Sequence, residues 1–187
     1  GTIGVTAAGP NCPWTASSSA PSWLPIISGA SGTGNGIVSF SVSSNGSTAP
    51  RSSLITVAGQ NVTINQSGIL CTYTLLSSSG TVPATGGSSS VGVLTASACT
   101  WTATTADPWL AVTTPSGLGS GDILFTAQPN PTATDRTGAI NIAGQTYIVS
   151  QPGQPCAYTL DFGFANVAFT GGTGTVGFSS TTSGCSP

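Results

Sequence analysis

Apolar and polar residues alternate in short runs along the chain. Val38, Phe40 and Val42 alternate with smaller or polar residues, and so do Ile123, Phe125 and Ala127. Period-two alternation of this kind marks a half-buried strand. Ile55-Thr-Val57 and Ile140-Asn-Ile142 follow, each leading into Ala-Gly-Gln. The stretch Ala58-Gly59-Gln60-Asn61 predicts a tight hairpin turn in which glycine supplies the positive φ. Val62 and Ile64, and likewise Tyr147 and Val149, begin returning strands that end at Gln66 and Gln151. Gly-rich turns at 31–36 and 116–121, and Asn45-Gly46 and Asn130-Pro131, punctuate the runs. No stretch has a convincing 3.6-residue period. The pattern is all-β, with about seven short strands in roughly 85 residues, as in an antiparallel immunoglobulin-like sandwich.

The pattern occurs more than once. Cys71-Thr-Tyr-Thr-Leu75 returns as Cys156-Ala-Tyr-Thr-Leu160, 85 residues later. Gly86-Gly87, Gln66, Gly59-Gln60 and Arg51 find their counterparts at Gly171-Gly172, Gln151, Gly144-Gln145 and Arg136, at the same separation. An internal repeat governs every local reading. It predicts tandem sandwiches at 1–70 and 71–153 and a C-terminal β extension at 154–187. Gly1-Thr-Ile-Gly-Val5 matches Gly174-Thr-Val-Gly-Phe178, and Cys12 matches Cys185. By this register the first sandwich lacks its opening Cys-x-Tyr-Thr-Leu strand, and the extension carries a copy of that strand.

Charge is nearly absent from the 187 residues: Arg51, Arg136 and four aspartates, with no Lys, Glu or His. Two arginines cannot neutralise a run of phosphates, so a nucleic-acid partner is excluded. No apolar run approaches the roughly 20 residues that a membrane-spanning helix needs. Serines and threonines abound, but no histidine or lysine can serve them as a base, which argues against nucleophilic catalysis. The five cysteines fall in two repeat slots, Cys71 and Cys156 in one and Cys12, Cys99 and Cys185 in the other. Without CxxC or His, a zinc site has little support, and slot-to-slot disulfides in an oxidising, extracellular or cell-surface setting are expected. Cys71 would pair with Cys99 and Cys156 with Cys185, leaving Cys12 without an intrachain partner. The alternative joins Cys156 to Cys12 of a neighbouring molecule.

The combination Cys-x-Trp-x-Ala, Trp-Leu, a Gly-Ser-Gly turn, Arg, Ile-x-[Val/Ile]-Ala-Gly-Gln and a terminal Gln resembles BACON domains and related bacterial all-β binding domains. The likeness runs from Cys12 to Gln66 and from Cys71 to Gln151, with a partial copy from Cys156. It implies an immunoglobulin-like fold, secretion and tandem arrangement. The family name suggests carbohydrate binding but supplies no residue motif to carry over.

Trp14 and Trp101, each just after a slot cysteine, read as core tryptophans. Trp23 and Trp109 lie beside Pro and Leu in loops and are expected nearer the surface, where they could cap the sandwich or contact a glycan. Asp107, Asp122 and Asp135 have no acidic counterparts in the first repeat. Asp135 beside Arg136 reads as a turn with an ion pair. No cofactor is expected, beyond a structural calcium ion that carbonyls, hydroxyls and one aspartate could hold.

The extension departs from its counterpart. Leu160, Phe162 and Phe164 alternate along one strand face, with Phe169 beyond, where the preceding copy has Leu75-Leu-Ser-Ser-Ser. Burying each such side chain stabilises by roughly 1.5–3 kcal/mol. They could fold back on the second sandwich or serve as a subunit interface. Two function classes follow. One is a structural subunit of an extracellular filament or surface array, donating its C-terminal strand head-to-tail to the incomplete first sandwich of the next copy. The other is a carbohydrate-binding module of a larger secreted protein.

Overall fold

A computed structural model describes residues 1–161, 163 and 166–185, which contain strands, turns and loops and no helix. The chain divides into two compact units, Gly1–Cys71 and Thr72–Pro187.

The first unit contains β1 (Thr2–Val5), β2 (Pro13–Ser18), β3 (Ile26–Ser28), β4 (Ser31–Thr33), β5 (Gly36–Phe40), β6 (Arg51–Val57) and β7 (Gln60–Gln66). They form two sheets, ordered β1-β5-β3 and β4-β2-β6-β7. Alternation puts Ile3, Val5 and Val38 on the inner face of one sheet and Trp14, Ile55 and Val57 on the inner face of the other, where they meet in one core. The strand expected to run through Val42 stops at Phe40. The chain leaves the ladder there, and the Ser43 carbonyl turns to accept hydrogen bonds from Arg51 and Gln66.

Strands β6 and β7 pair from Arg51↔Gln66 to Val57↔Gln60. Their turn has positive φ at both central residues, 49° at Ala58 and 79° at Gly59, and Ala143 and Gly144 repeat it at 49° and 81°. Glycine therefore supplies only half of the left-handed turn. An alanine there costs about 1–2 kcal/mol, which the long ladder below it outweighs.

The second unit contains β8 (Thr74–Leu75), β9 (Ser79–Thr81), β10 (Gly87–Leu94), β11 (Thr100–Thr105), β12 (Leu110–Val112), β13 (Ser116–Leu118), β14 (Gly121–Ala127), β15 (Arg136–Ile142) and β16 (Gln145–Gln151). Its sheets run β12-β14-β10-β8 and β13-β11-β15-β16-β9. Strands β10 to β16 repeat β1 to β7 in order and pairing. The additions are β8, antiparallel to β10, and β9, parallel to β16. A single segment thus begins at the edge of one sheet and crosses to the edge of the other. The core between the sheets includes Val91, Val93, Trp101, Phe125, Ile140, Tyr147 and Val149, with Tyr73, Leu75 and Val82 contributed by the crossing segment.

Beyond it, β17 (Tyr158–Leu160) and β18 (Phe178–Ser180) form a two-stranded antiparallel sheet. Leu160 pairs with Phe178, the register in which Leu75 pairs with Val93. A Cys156–Cys185 disulfide closes this extension. Cys71 and Cys99 are also disulfide-bonded, whereas Cys12 is a free, exposed thiol.

Candidate functional site

Among the described residues, two edges of the first unit lack the neighbours that their counterparts have. Among the described residues, no strand pairs with the outer side of β1 or of β7. Because both strands are amphipathic, the open edges leave apolar side chains partly uncovered. Ile3, Val5, Val62 and Ile64 are half-buried, while their counterparts Val91, Val93, Tyr147 and Val149 are all buried. Between the two edges lies a cleft of about 240 Å³ whose lining includes Ile3, Val5, Val57, Gln60 and Val62. A separate depression of about 350 Å³ lies at the other end of the β6–β7 ladder, beside Arg51 and Gln66.

The second unit displays what such a cleft holds. The Gln145 side chain donates to the Tyr73 carbonyl. The Gln151 Nε2 donates to the Pro83 carbonyl at 2.8 Å and to Gln128 at 3.0 Å. The Tyr147 hydroxyl packs so closely on Gly80 that a β-carbon there would collide with it. Burial pushes the Tyr147 phenol pKa upward. These three side chains grip the 72–83 segment, and its Tyr73 hydroxyl donates to the Thr100 carbonyl at 2.6 Å. In the first unit the counterparts are Gln60, Gln66 and Val62. Gln66 Nε2 still donates to Ser43, the counterpart of Gln128, at 3.0 Å. The matching glutamines are present, and no β8–β9 segment lies on them among the described residues.

A shared module stiffens this edge in both units. Arg51 Nε donates to Gln66 Oε1 at 2.8 Å, its terminal nitrogen donates to Ser43 and Ser44, and its guanidinium stacks on Trp23 at 4.2 Å. Arg136 does the same with Gln151, Gln128, Pro129 and Trp109, stacking at 4.3 Å. Two expectations are corrected by this module. Trp109 is buried, not a surface aromatic, because an arginine 27 residues away covers it and Gly138 packs against it. Trp23 is half-buried under Arg51. Arg136 spends its donors on carbonyls rather than on an ion pair with Asp135, whose carboxylate accepts the Gly153 amide at 2.9 Å. The signal for this module in the sequence is that both arginines of a nearly uncharged chain occupy the same repeat position.

Trp14 and Trp101 are buried, each donating its indole N–H to a glycine carbonyl, Gly34 and Gly119. The Asp107 carboxylate accepts the Ala139 amide at 2.7 Å. Among the described residues, no group of three or more acidic, histidine or cysteine side chains converges where a metal ion could sit. Leu160 is 64% exposed and Phe169 is fully exposed. Phe162 and Phe164, also expected at an interface, lie outside the described residues. Among the described residues, no helix is long and apolar enough to cross a membrane.

The BACON family profile, described as "Putative binding domain, N-terminal", matches residues 13–67 and 100–151. The chain belongs to the BACON family. Its two matched segments are the two strand sets from β2 to β7 and from β11 to β16, so the open edge flanks one BACON repeat and the filled edge flanks the other. BACON is a binding family, not a catalytic one. No curated protein matches the chain. Among solved structures, a Bacteroides ovatus GH5 xyloglucanase in complex with a XXXG heptasaccharide is 16% identical with TM-score 0.40, covering 43% of this chain and 19% of that one. The endo-fucoidan hydrolase MfFcnA4 of glycoside hydrolase family 107 is 11% identical with TM-score 0.36, covering 81% and 26%. WR4, a C. elegans MSP family member, is 17% identical with TM-score 0.31, covering 43% and 95%. The chain therefore spans only about a fifth of the xyloglucanase and a quarter of the fucoidan hydrolase.

Proposed function

We propose that this BACON chain is the structural subunit of an extracellular filament. In this reading, residues 156–170 of one molecule complete the first unit of the next. The observation that carries it is the pair of open edges on β1 and β7, with Gln60 and Gln66 where the second unit uses Gln145 and Gln151 to hold its own crossing segment. The extension holds the repeat counterpart of that segment, from Cys156 and Tyr158 onward. Transferring the internal register puts Leu160 opposite Val5 and Tyr158 near the Pro13 carbonyl, the counterpart of Thr100. Main-chain bonds would supply the ladder and apolar side chains would fill the cleft, as in β-strand addition. Donor and acceptor are different surfaces, so the contact is head-to-tail and propagates. Two disulfides and a nearly uncharged surface suit an oxidising, extracellular setting.

The second reading is a carbohydrate-binding module; Trp14, Trp101 and Trp109 are buried and Trp23 is covered by Arg51, so no tryptophan offers it an open face. The test is removal of residues 154–187, followed by size-exclusion chromatography and negative-stain microscopy. The full chain should form filaments and the shortened one should not. Filaments from the shortened chain, or a full chain that stays monomeric at high concentration, would refute strand donation.

A further inference from the structure

The segment Gly174–Phe178, which leads into β18, copies Gly1–Val5, which holds β1, and Cys185 copies Cys12. Only one strand can pair with a given edge of β17, and the repeat register assigns β18 and β1 to the same edge. In the isolated chain β18 occupies it, over three residue pairs and with a disulfide to Cys156. This pairing is lightly supported. Tyr158 and Phe178 meet edge to face at 5.7 Å, yet both are about half exposed and Leu160 is more so. A lone two-stranded sheet is marginal in water. The matching β8–β10 pair, by contrast, is packed on a full core.

We propose that β18 and Cys185 are a placeholder, displaced on assembly by β1 and Cys12 of the next molecule through thiol–disulfide exchange. This inference rests on the strand-donation reading above. Two observations meet in it. Cys12 is the free and exposed member of its repeat slot. The same two slots are already joined within the extension, where Cys156 bonds Cys185. When β17 exchanges β18 for β1, Cys12 arrives where Cys185 had been. The Cys12 thiolate attacks the Cys156 sulfur, the Cys156–Cys185 bond breaks, and Cys185 leaves as a thiolate that takes up the proton Cys12 lost. One disulfide is consumed and one is formed, so no oxidant is required. Each subunit becomes covalently bonded to the next, and the polymer resists dissociation.

The experiment compares assembled full-length chain with its Cys12→Ser variant, using non-reducing SDS gels, peptide mapping and microscopy. The native filament should run as a ladder that collapses on reduction. Mapping should recover a Cys12–Cys156 linked peptide and an alkylatable Cys185. The variant should still form filaments, yet run as a monomer in SDS without reductant. Native filaments with an alkylatable Cys12 and an intact Cys156–Cys185 bond would overturn the exchange and leave strand donation standing. Absence of filaments from both proteins would overturn the strand reading and the exchange with it.

Discussion

Strands β7 and β16 hold the same place in their repeats, but Val62, Ile64 and Gln66 are half-buried where Tyr147, Val149 and Gln151 are buried. Strands β1 and β10 differ in the same way. Sequence alternation sets which face of a strand is apolar, and it does so equally well in both units. Whether that face is covered depends on a third segment, because sandwich edges are closed only by a neighbour. In the second unit this is residues 72–83, which cross from β10 to β16. Among the described residues, the difference between the units is therefore the presence of one crossing segment rather than the quality of either core.

The most severe way to break the comparison is to supply the segment. Residues 72–86 joined by a flexible linker ahead of Gly1 should fill the first cleft and end assembly. Burying the equivalents of Tyr73, Leu75 and Val82 at roughly 1.5–3 kcal/mol each should stabilise the first unit by about 5 kcal/mol. Chemical denaturation would register this as a higher midpoint for one transition. An unchanged midpoint would mean that the cleft does not accept the segment. The reverse change weakens the filled unit. Val82→Ala removes two buried methyl groups and should cost the second unit about 2 kcal/mol, leaving the unfolding of the first unit unmoved.

A smaller effect separates the units by pH. Burial raises the pKa of Tyr147 above its ordinary value of 10.0. Once the pH exceeds that value, the unfolded chain gives up the proton while folded Tyr147 keeps it. The unfolded state then binds fewer protons, so stability is full below pH 10 and falls as pH rises through the folded pKa. Alkaline titration followed by circular dichroism should show the second unit weakening first. Tyr147→Phe should remove that part of the pH dependence. The first unit has Val62 at this position and should lack it.

The strands that alternate, β5 to β7 and β14 to β16, were legible because their inward residues are large and apolar. The crossing segment was half legible. Tyr73 and Leu75 mark its beginning, but β9 is Ser79-Gly-Thr81, without alternation, and pairs parallel to β16 through contacts distant in sequence. Pro108 and Leu110 look like a loop locally and suggest a surface place for Trp109, which is buried. The arginine that covers it comes from another strand. The glutamines at 60, 66, 145 and 151 were visible only as repeat markers, since a side-chain grip on a backbone carbonyl leaves no pattern in one sequence.

Backbone amide exchange on the outer edge of β7 tests strand donation most directly. Ile148 donates its amide to Ser78 of the crossing segment at 3.0 Å. Its counterpart Thr63 faces the open edge. In the monomer the Thr63 amide should exchange rapidly, and in the assembled protein it should become as protected as Ile148. If Thr63 exchanges as fast in filaments as in monomers, no donated strand lies on β7 and the account is wrong.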